Sequence, residues 1–319
     1  MTENKIYAVI VSYNGEALIR QCLNSLKDSN ISVNIVVVDN ASEDNTIKII
    51  ESDFPGIVLC KSETNRGFGY ANNIGIKYAY DNAASHIFLL NQDARIEPDT
   101  IEKMISAGKE NPDFFVLSPV HLNKEGNGFD RGFMQYALPP FCENFFFEGY
   151  TSSLKRLYST TFVNAAAWLM SRETISIIGF FDPLFFHYGE DRDYCNRVLF
   201  HKKKIGIVSD SKIYHSRKTT SGRKKSAWLE LKRSINRNYF LRLIELKKPD
   251  QHMSQLCFQY VADLIFSSLK NCLRLRFYKA LTDFLTLCRL LGDIPAIIRN
   301  RKECSKKGEA FVWSIRLNE

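Results

Sequence analysis

The chain has 319 residues, 45% of them apolar and 24% charged, the composition of a globular protein with room for one large domain or a domain and an appendage. No apolar run approaches the ~20 residues that cross a bilayer. Eight scattered cysteines without a Cys-x-x-Cys pair speak against zinc or a disulfide framework and for free thiols in a reducing cytosol.

The formal net charge of +8 is uneven, because residues 202–250 hold fifteen Lys/Arg against four Asp/Glu. Such a basic region on a near-neutral body suggests a polyanionic partner: nucleic acid, anionic lipid or phosphate. Residues 1–5 run straight into a predicted strand and lack the pattern of a signal peptide. A cytoplasmic protein is expected, at the inner face of the cell membrane if it is peripheral.

Residues 6–11 read as a strand apolar on both faces, ending in Ser12-Tyr13-Asn14-Gly15. A helix follows with Leu18, Ile19, Cys22, Leu23 and Leu26 at helical spacing. Residues 35–38 form the next strand, ending in Asp39-Asn40-Ala41-Ser42, with Ser42 expected to cap the helix that carries Ile47, Ile49 and Ile50. This β-α-β-α order predicts a parallel sheet with right-handed crossovers. Residues 58–60 look like a third strand.

The run Asn65-Arg66-Gly67-Phe68-Gly69 through Gly75 then opens a helix. Glycines there let backbone N–H groups approach a phosphate at a helix N-terminus, and Arg66 can neutralise it. The run is neither Gly-x-Gly-x-x-Gly nor a P-loop, so hydride transfer and ordinary nucleotide hydrolysis are poorly supported.

Residues 87–90 are a fourth strand ending in Asn91-Gln92-Asp93. Ligands of open α/β sheets bind beyond the carboxyl ends of the strands, and hard oxygens beside a nucleotide diphosphate suit Mg²⁺ or Mn²⁺. An exposed polar turn fits the same residues. Pro98 is expected at the first position of a helix with Ile101, Met104 and Ile105 facing inward. A strand at 114–120 precedes residues 123–155, which read as a long loop with short elements, and loops of that length are usually functional or mobile.

A strand-like segment at 162–170, a short helix at 172–178 and an aromatic run deliver Glu190-Asp191-Arg192-Asp193. The helix that follows buries Tyr194, Cys195, Val198 and Leu199, so Asp191 should face inward as an ionised carboxylate in a first turn, the form a general base needs. Asp193 lies off that stripe, four residues before Arg197, and an exposed ion pair fits it as well as a functional role.

Strands at 205–208 and 212–214 end at His215, ahead of a basic Ser/Thr-rich loop, 217–225. For His215 a structural role and a metal or phosphate role are both open. From Ala227 the chain reads as helical, with amphipathic helices to about residue 298 that suit either an anionic membrane surface or a bundle packed on the main domain.

These motifs together resemble the family 2 inverting glycosyltransferases with the A-type (GT-A) fold, rhamnosyltransferase-like members above all. The matching pieces are Val9-Ile-Val-Ser-Tyr-Asn14, Val36-Val-Val-Asp39-Asn-Ala-Ser42, Asn65-Arg-Gly-Phe-Gly69 with Asn72 and Asn73, Leu89-Leu-Asn91-Gln-Asp93-Ala94, Gly189-Glu-Asp191-Arg-Asp193, and His215. The resemblance implies a Rossmann-like, mostly parallel sheet flanked by helices.

It also implies a catalytic domain over residues 1–225, with a donor half to about 120, an acceptor half beyond it and a basic helical extension over 226–319. Ser12, Tyr13, Asn14, Asp39, Arg66, Gly67, Asn91 and Asp93 then fall on the nucleotide-sugar side. Glu190, Asp193 and Trp168 fall on the acceptor side, Asp191 is the base, and Asp93 with His215 holds Mg²⁺ or Mn²⁺. Asn91 stands where the family's Asp-x-Asp motif has its first Asp, which leaves one carboxylate and the diphosphate to hold the metal.

The implied reaction moves a sugar, L-rhamnose from dTDP-rhamnose by preference, to a glycan or lipid-linked acceptor in bacterial surface-polysaccharide assembly. Donors carrying UDP with galactofuranose, glucose, galactose or an N-acetylhexosamine remain open. A sugar nucleotidyltransferase would need a Gly-rich, Arg/Lys-bearing first turn where this chain has Val-Ser-Tyr-Asn. A non-catalytic nucleotide-sugar binder is the other alternative. The basic region has no recognisable nucleic-acid module, so no nucleic-acid partner is expected.

Overall fold

The computed structural model describes residues 5–186, 188–217, 227–308 and 310–311. The basic loop expected at 217–225 therefore lies, beyond Arg217, outside the described residues, as do residues 1–4.

The first half alternates as read: β1 (Ile6–Ser12), α1 (Ile19–Lys27), β2 (Asn34–Asp39), α2 (Thr46–Asp53), β3 (Val58–Lys61), α3 (Phe68–Asp81) and β4 (His86–Asn91). These four strands pair in parallel in the order β3-β2-β1-β4. Helices cover both faces, which is why the strands are continuous apolar runs. One face (Ala8, Ile10, Val37, Phe88 and Leu90) packs on Ile19, Leu23 and Leu26 of α1 and Ile49 and Ile50 of α2. The other face carries α3. It sits close because Gly75 has no side chain, and a Cβ there would run into Val9 and Val38.

The second half adds β5 (Ala94–Ile96), α4 (Thr100–Glu110), β6 (Phe114–Asn123), α5 (Arg131–Tyr136), α6 (Phe145–Tyr150), β7 (Leu157–Thr160), β8 (Ala167–Ser171), α7 (Arg172–Ile178), α8 (Glu190–Phe200) and β9 (Lys204–His215). The nine-stranded sheet runs β3-β2-β1-β4-β8-β6-β9-β5, with β7 also on β9. It is mixed: β8 is antiparallel to β4 and β6, and β9 is parallel to β6 but antiparallel to β5 and β7.

β9 reads in sequence as two strands because its register on β6 shifts between Pro119 and Val120. Its first part pairs β7 and its last part pairs β5. Ser42 does not cap α2. That helix starts at Thr46, and the Ser42 hydroxyl turns back to Asp39. Pro98 lies just ahead of α4, which starts at Thr100.

The chain divides into two compact units, Met1–Arg217 with Lys307–Glu319, and Lys218–Lys306. The second holds α9 (Ala227–Lys247), α10 (Met253–Leu273) and α11 (Phe277–Ser305). Tyr239 of α9 donates to Asp293 of α11 at 2.7 Å, and Arg289 stacks on the Tyr239 ring. Among the described residues no helix is long and apolar enough to cross a membrane.

Candidate active site

Three loops at the carboxyl ends of β1, β2 and β4 are stitched together. Asp39, fully enclosed, accepts from Ser12 Oγ at 2.9 Å and from the Ser42 amide and hydroxyl at 2.9 and 2.6 Å. The Asn14 amide donates to Ser42 Oγ, and Asn14 Oδ1 accepts from the Glu43 amide. Gln92 brackets the Tyr13 backbone, accepting from its N–H at 3.1 Å and donating to its carbonyl at 2.9 Å.

Of the expected donor-side residues, Tyr13 is open to solvent (43%), whereas Ser12 and Asp39 have no exposed surface. Their side chains hold the loops together through these hydrogen bonds.

Gly67 caps α3 with φ +90°, and a Cβ there would strike the Phe186 carbonyl. Only glycine combines that backbone with that approach. Arg66 is exposed, stacks on the Tyr70 ring at 3.8 Å and bonds the Tyr70 hydroxyl. Gly69 lies beside Phe181 and Glu190. The Asn73 side chain donates to the Phe181 carbonyl at 2.9 Å and accepts from the Phe181 amide at 2.8 Å. The N-terminal part of α3 is thereby fixed against the segment that leads into α8.

Asp93 and His215 meet as the pairing of Ala94 with His215 requires. Their Oδ1 and Nε2 atoms are 3.2 Å apart. That spacing suits two adjacent ligands of one octahedral ion with bonds of about 2.1 Å. Asn91 Oδ1, two residues before Asp93, is buried without a partner. Behind His215, its Nδ1 also lacks a hydrogen bond and lies 3.7 Å from Asp130 Oδ2.

Asp130 caps α5, accepting from the Gly132 and Phe133 amides, and takes the Arg217 Nε at 2.7 Å. Burial pushes its carboxyl up, but the Arg217 guanidinium more than offsets this and holds it below the usual range. His121 completes a buried cluster whose ligand-type atoms lie within 4.8 Å of one another. Its ring nitrogens face Ser118 Oγ and Tyr136 Oη, and burial, with His215 nearby, lowers its pKa to about 3, so it is neutral.

α8 begins at Glu190 after Gly189 in a left-handed conformation. Residues 163–166 link it to β4: the Asn91 amide donates to the Ala166 carbonyl at 2.9 Å, and Cys195 Sγ reaches the Val163 carbonyl. Asp191 keeps part of its surface open and accepts from the Arg192 amide at 2.8 Å. Burial raises its pKa. Glu190 is enclosed with Oε2 unpartnered, and burial, followed by the Asp191 charge, pushes it up to about 8.

The acceptor-side residues Asp193 and Trp168 both lie in the interior. The ion pair expected to be exposed at Asp193 is a buried one, with Arg197 Nε donating at 3.0 Å. Trp168 is fully enclosed, stacked on Phe181 and tilted against Tyr194. Sequence reasoning assigned nothing to Gln92, Asp130, His121 or Arg217. A polar residue ahead of a short helix was the one local signal, and it marked only Asp130.

A family model described as "Glycosyl transferase family 2" matches residues 7–177. The chain is 27% identical over 215 residues to dTDP-rhamnosyl transferase RfbF of Shigella flexneri, covering 67% of this chain and 69% of that protein. It is 32% identical over 120 residues to a UDP-N-acetylglucosamine--dolichyl-phosphate N-acetylglucosaminyltransferase of Methanococcus voltae, covering 33% of this chain and 47% of that one.

Among solved structures, S. aureus TarS 1-349 in complex with UDP superposes with a TM-score of 0.52 at 17% identity, over 84% of this chain and 71% of that one. GalNAc-T7 with UDP, GalNAc and Mn²⁺ gives 0.55 at 16% identity, over 79% and 53%. At such identities the likeness is one of fold.

Proposed function

The chain belongs to glycosyl transferase family 2 and is a glycosyltransferase of the GT-A fold, and we propose that it moves L-rhamnose from dTDP-rhamnose to a hydroxyl of a glycan acceptor with inversion. The observation that carries the reading is the junction of α3 with the lead-in to α8. Gly67 and Gly69 abut Phe186 and Glu190, so the glycine-rich turn and Asp191 share one end of the sheet. The 27% identity to a dTDP-rhamnosyl transferase supports the choice of donor. The match of folds with UDP-bound TarS supports the nucleotide-sugar class.

In this reading Asp191 takes the proton of the acceptor hydroxyl. The oxygen attacks the anomeric carbon from the face opposite the diphosphate, the bond from that carbon to the diphosphate oxygen breaks, and configuration inverts. A half-buried carboxylate with a raised pKa is a stronger base than a surface one, and it stands in a first helical turn that favours its ionised form. Tyr13 and Asn14 border the base and ribose, and Arg66 and the amides of the Gly67 turn receive the diphosphate.

Asp93 and His215, with Asn91 Oδ1 at hand, would hold Mg²⁺ or Mn²⁺, and the ion supplies charge neutralisation at the leaving diphosphate. Residues 1–225 are the catalytic part in this reading. The acceptor is lipid-linked at the inner membrane face, where residues 226–319 meet the surface.

A thermal-shift panel of dTDP, UDP, GDP and their sugars, with and without Mg²⁺ or Mn²⁺, tests the donor. A ligand at 100 times its Kd adds about 2.7 kcal/mol. A metal-enhanced shift with dTDP-rhamnose above the UDP-sugars is expected. A shift with UDP-sugars alone keeps the enzyme class and removes rhamnose. No shift in a folded sample overturns the reading.

A further inference from the structure

The turn that joins α10 to α11 is built for something outside the chain. Between Asp263 and Asp283 the sequence has four Lys/Arg and no carboxylate, and Lys270, Arg274, Arg276 and Lys279 are all exposed. Interleaved with them are Phe266 (69%), Leu269 (60%), Leu273 (86%), Leu275 (75%) and Phe277 (64%).

Phe266, Leu269 and Leu273 follow helical spacing on the side of α10 turned away from α11. The opposite side of α10 carries the groups that meet α11: Ser268 donates to the Ala280 carbonyl and Asn271 to Asp283, each at 3.1 Å. That side joins α11 through these polar contacts and carries the buried Leu264 at the same helical spacing, while Phe266, Leu269 and Leu273 stand in water. Burial within a hairpin would place them the other way round.

Leu275 adds a second, independent observation. The turn closes with the Arg276 amide on the Asn271 carbonyl at 2.8 Å, and Leu275 sits at φ +52°. Glycine occupies that helix-ending position at least cost, and a leucine there is strained. At 75% exposure its side chain gains little from packing within the chain to offset that strain.

The geometry points to the α10–α11 turn as a wedge that inserts into an anionic lipid surface, with Leu273, Leu275 and Phe277 entering the acyl boundary and the four cations at headgroup level. Large apolar tips flanked by cations with no carboxylate nearby suit a lipid interface. The cations favour an anionic surface, and a second copy of this chain would bring four cations against four cations. Each cation near an anionic leaflet contributes about a factor of five in partitioning, and the effect falls with salt. This inference concerns the second unit alone and does not depend on the identity of the donor sugar.

Flotation of the full-length protein with vesicles of phosphatidylcholine alone, and with vesicles containing an equal part of phosphatidylglycerol, tests it. Binding to the anionic vesicles only, weakened by salt, is expected. L275G should fold at least as stably, because the strain goes, yet partition several-fold less. L273E/L275E should lose flotation, and R274E/R276E should lower it at least about tenfold.

Transfer to a soluble acceptor analogue should be unchanged in all three, which separates this inference from the reaction assignment. Equal flotation with both lipid mixtures, or undiminished flotation of L273E/L275E, overturns it. So does a dimer in light scattering that L273E/L275E converts to monomer without any vesicle binding, since the turn would then be a contact between copies.

Discussion

Asp193 Oδ2 lies 3.0 Å from Arg197 Nε, one turn apart on α8, with side-chain exposures of 3% and 1%. Arg197 also donates to the carbonyls of Ile178 and Phe180, each at 2.7 Å. One guanidinium therefore ties the end of α7 and the start of the following loop to the helix that presents Asp191. Removing a carboxylate from a buried pair is costly, because the remaining charge cannot be rehydrated. Asp193→Ala should lower stability by about 3 kcal/mol and Asp193→Asn by less, read from urea denaturation. An acceptor contact would instead raise the KM for acceptor at unchanged stability, and that result would support the acceptor-side expectation.

Glu190 and Asp191 make stability depend on pH. Both carboxyls are raised in the folded chain, Glu190 to about 8 from 4.5, first by burial and then by the Asp191 charge. The unfolded chain ionises Glu190 near about pH 4, while folded Glu190 still holds its proton above that pH. Its contribution is therefore fully present below that pH and is lost as pH rises through about 8. Glu190→Gln should flatten the fall in denaturation midpoint between about pH 5 and pH 8. If the slope of the variant matched that of the parent, Glu190 would not be the group responsible.

Asp191→Asn removes the proposed base while keeping its shape and its bond to the Arg192 amide. Turnover should fall about 10²–10⁴-fold, with donor affinity by calorimetry nearly unchanged. Loss of donor binding in step with turnover would move Asp191 from the base to the donor pocket.

The sequence made the parallel half of the sheet legible because β1, β2 and β4 are buried on both faces, so their apolar runs and the stripe of α1 point to one arrangement. Asp93 and Asp191 were legible for the same local reason: each directly follows or opens a periodic element. The insertion of β8 between β4 and β6 was not, since strand order depends on pairings between residues about eighty apart, such as Leu89 with Trp168. Once β8 is central, Trp168 is enclosed, which its place in the sequence does not report.

Asp193 shows a subtler limit. Its pairing with Arg197 follows from spacing, but no pattern on α8 reports that the pair is buried or that Arg197 also reaches the carbonyls of Ile178 and Phe180. Asp130 and Gln92 act through partners 87 and 79 residues away, beyond any window of periodicity.

His215 presents Nε2 to Asp93 while Nδ1 faces Asp130 at 3.7 Å. A carboxylate this close behind a ligating imidazole helps orient its ring, and losing such a partner typically costs 10–100-fold in metal affinity. Asp130→Asn keeps the oxygen that caps α5 and removes the charge. Mn²⁺ affinity, read by electron paramagnetic resonance in the absence of donor, should fall by about tenfold or more, in a protein somewhat less stable because the amide no longer accepts from Arg217. His215→Ala should remove the site. Unchanged Mn²⁺ affinity in both variants would place the metal elsewhere.

Asn73 grips both backbone groups of Phe181 from a position with no exposed surface. An amide is the one side chain of that size that donates and accepts in this geometry. Asn73→Leu leaves a buried N–H and a buried carbonyl unpaired, at about 1–3 kcal/mol each, so a loss of about 2–4 kcal/mol is expected after relaxation. Asn73→Asp keeps the acceptor for the Phe181 amide but sets a carboxylate against the Phe181 carbonyl, and it should be as damaging. Because Phe181 begins the segment that ends at Asp191, turnover should fall more than donor affinity in either variant under conditions where the protein remains folded. Equal losses in both would mean that Asn73 supports the donor turn of α3 alone and leaves the position of α8 untouched.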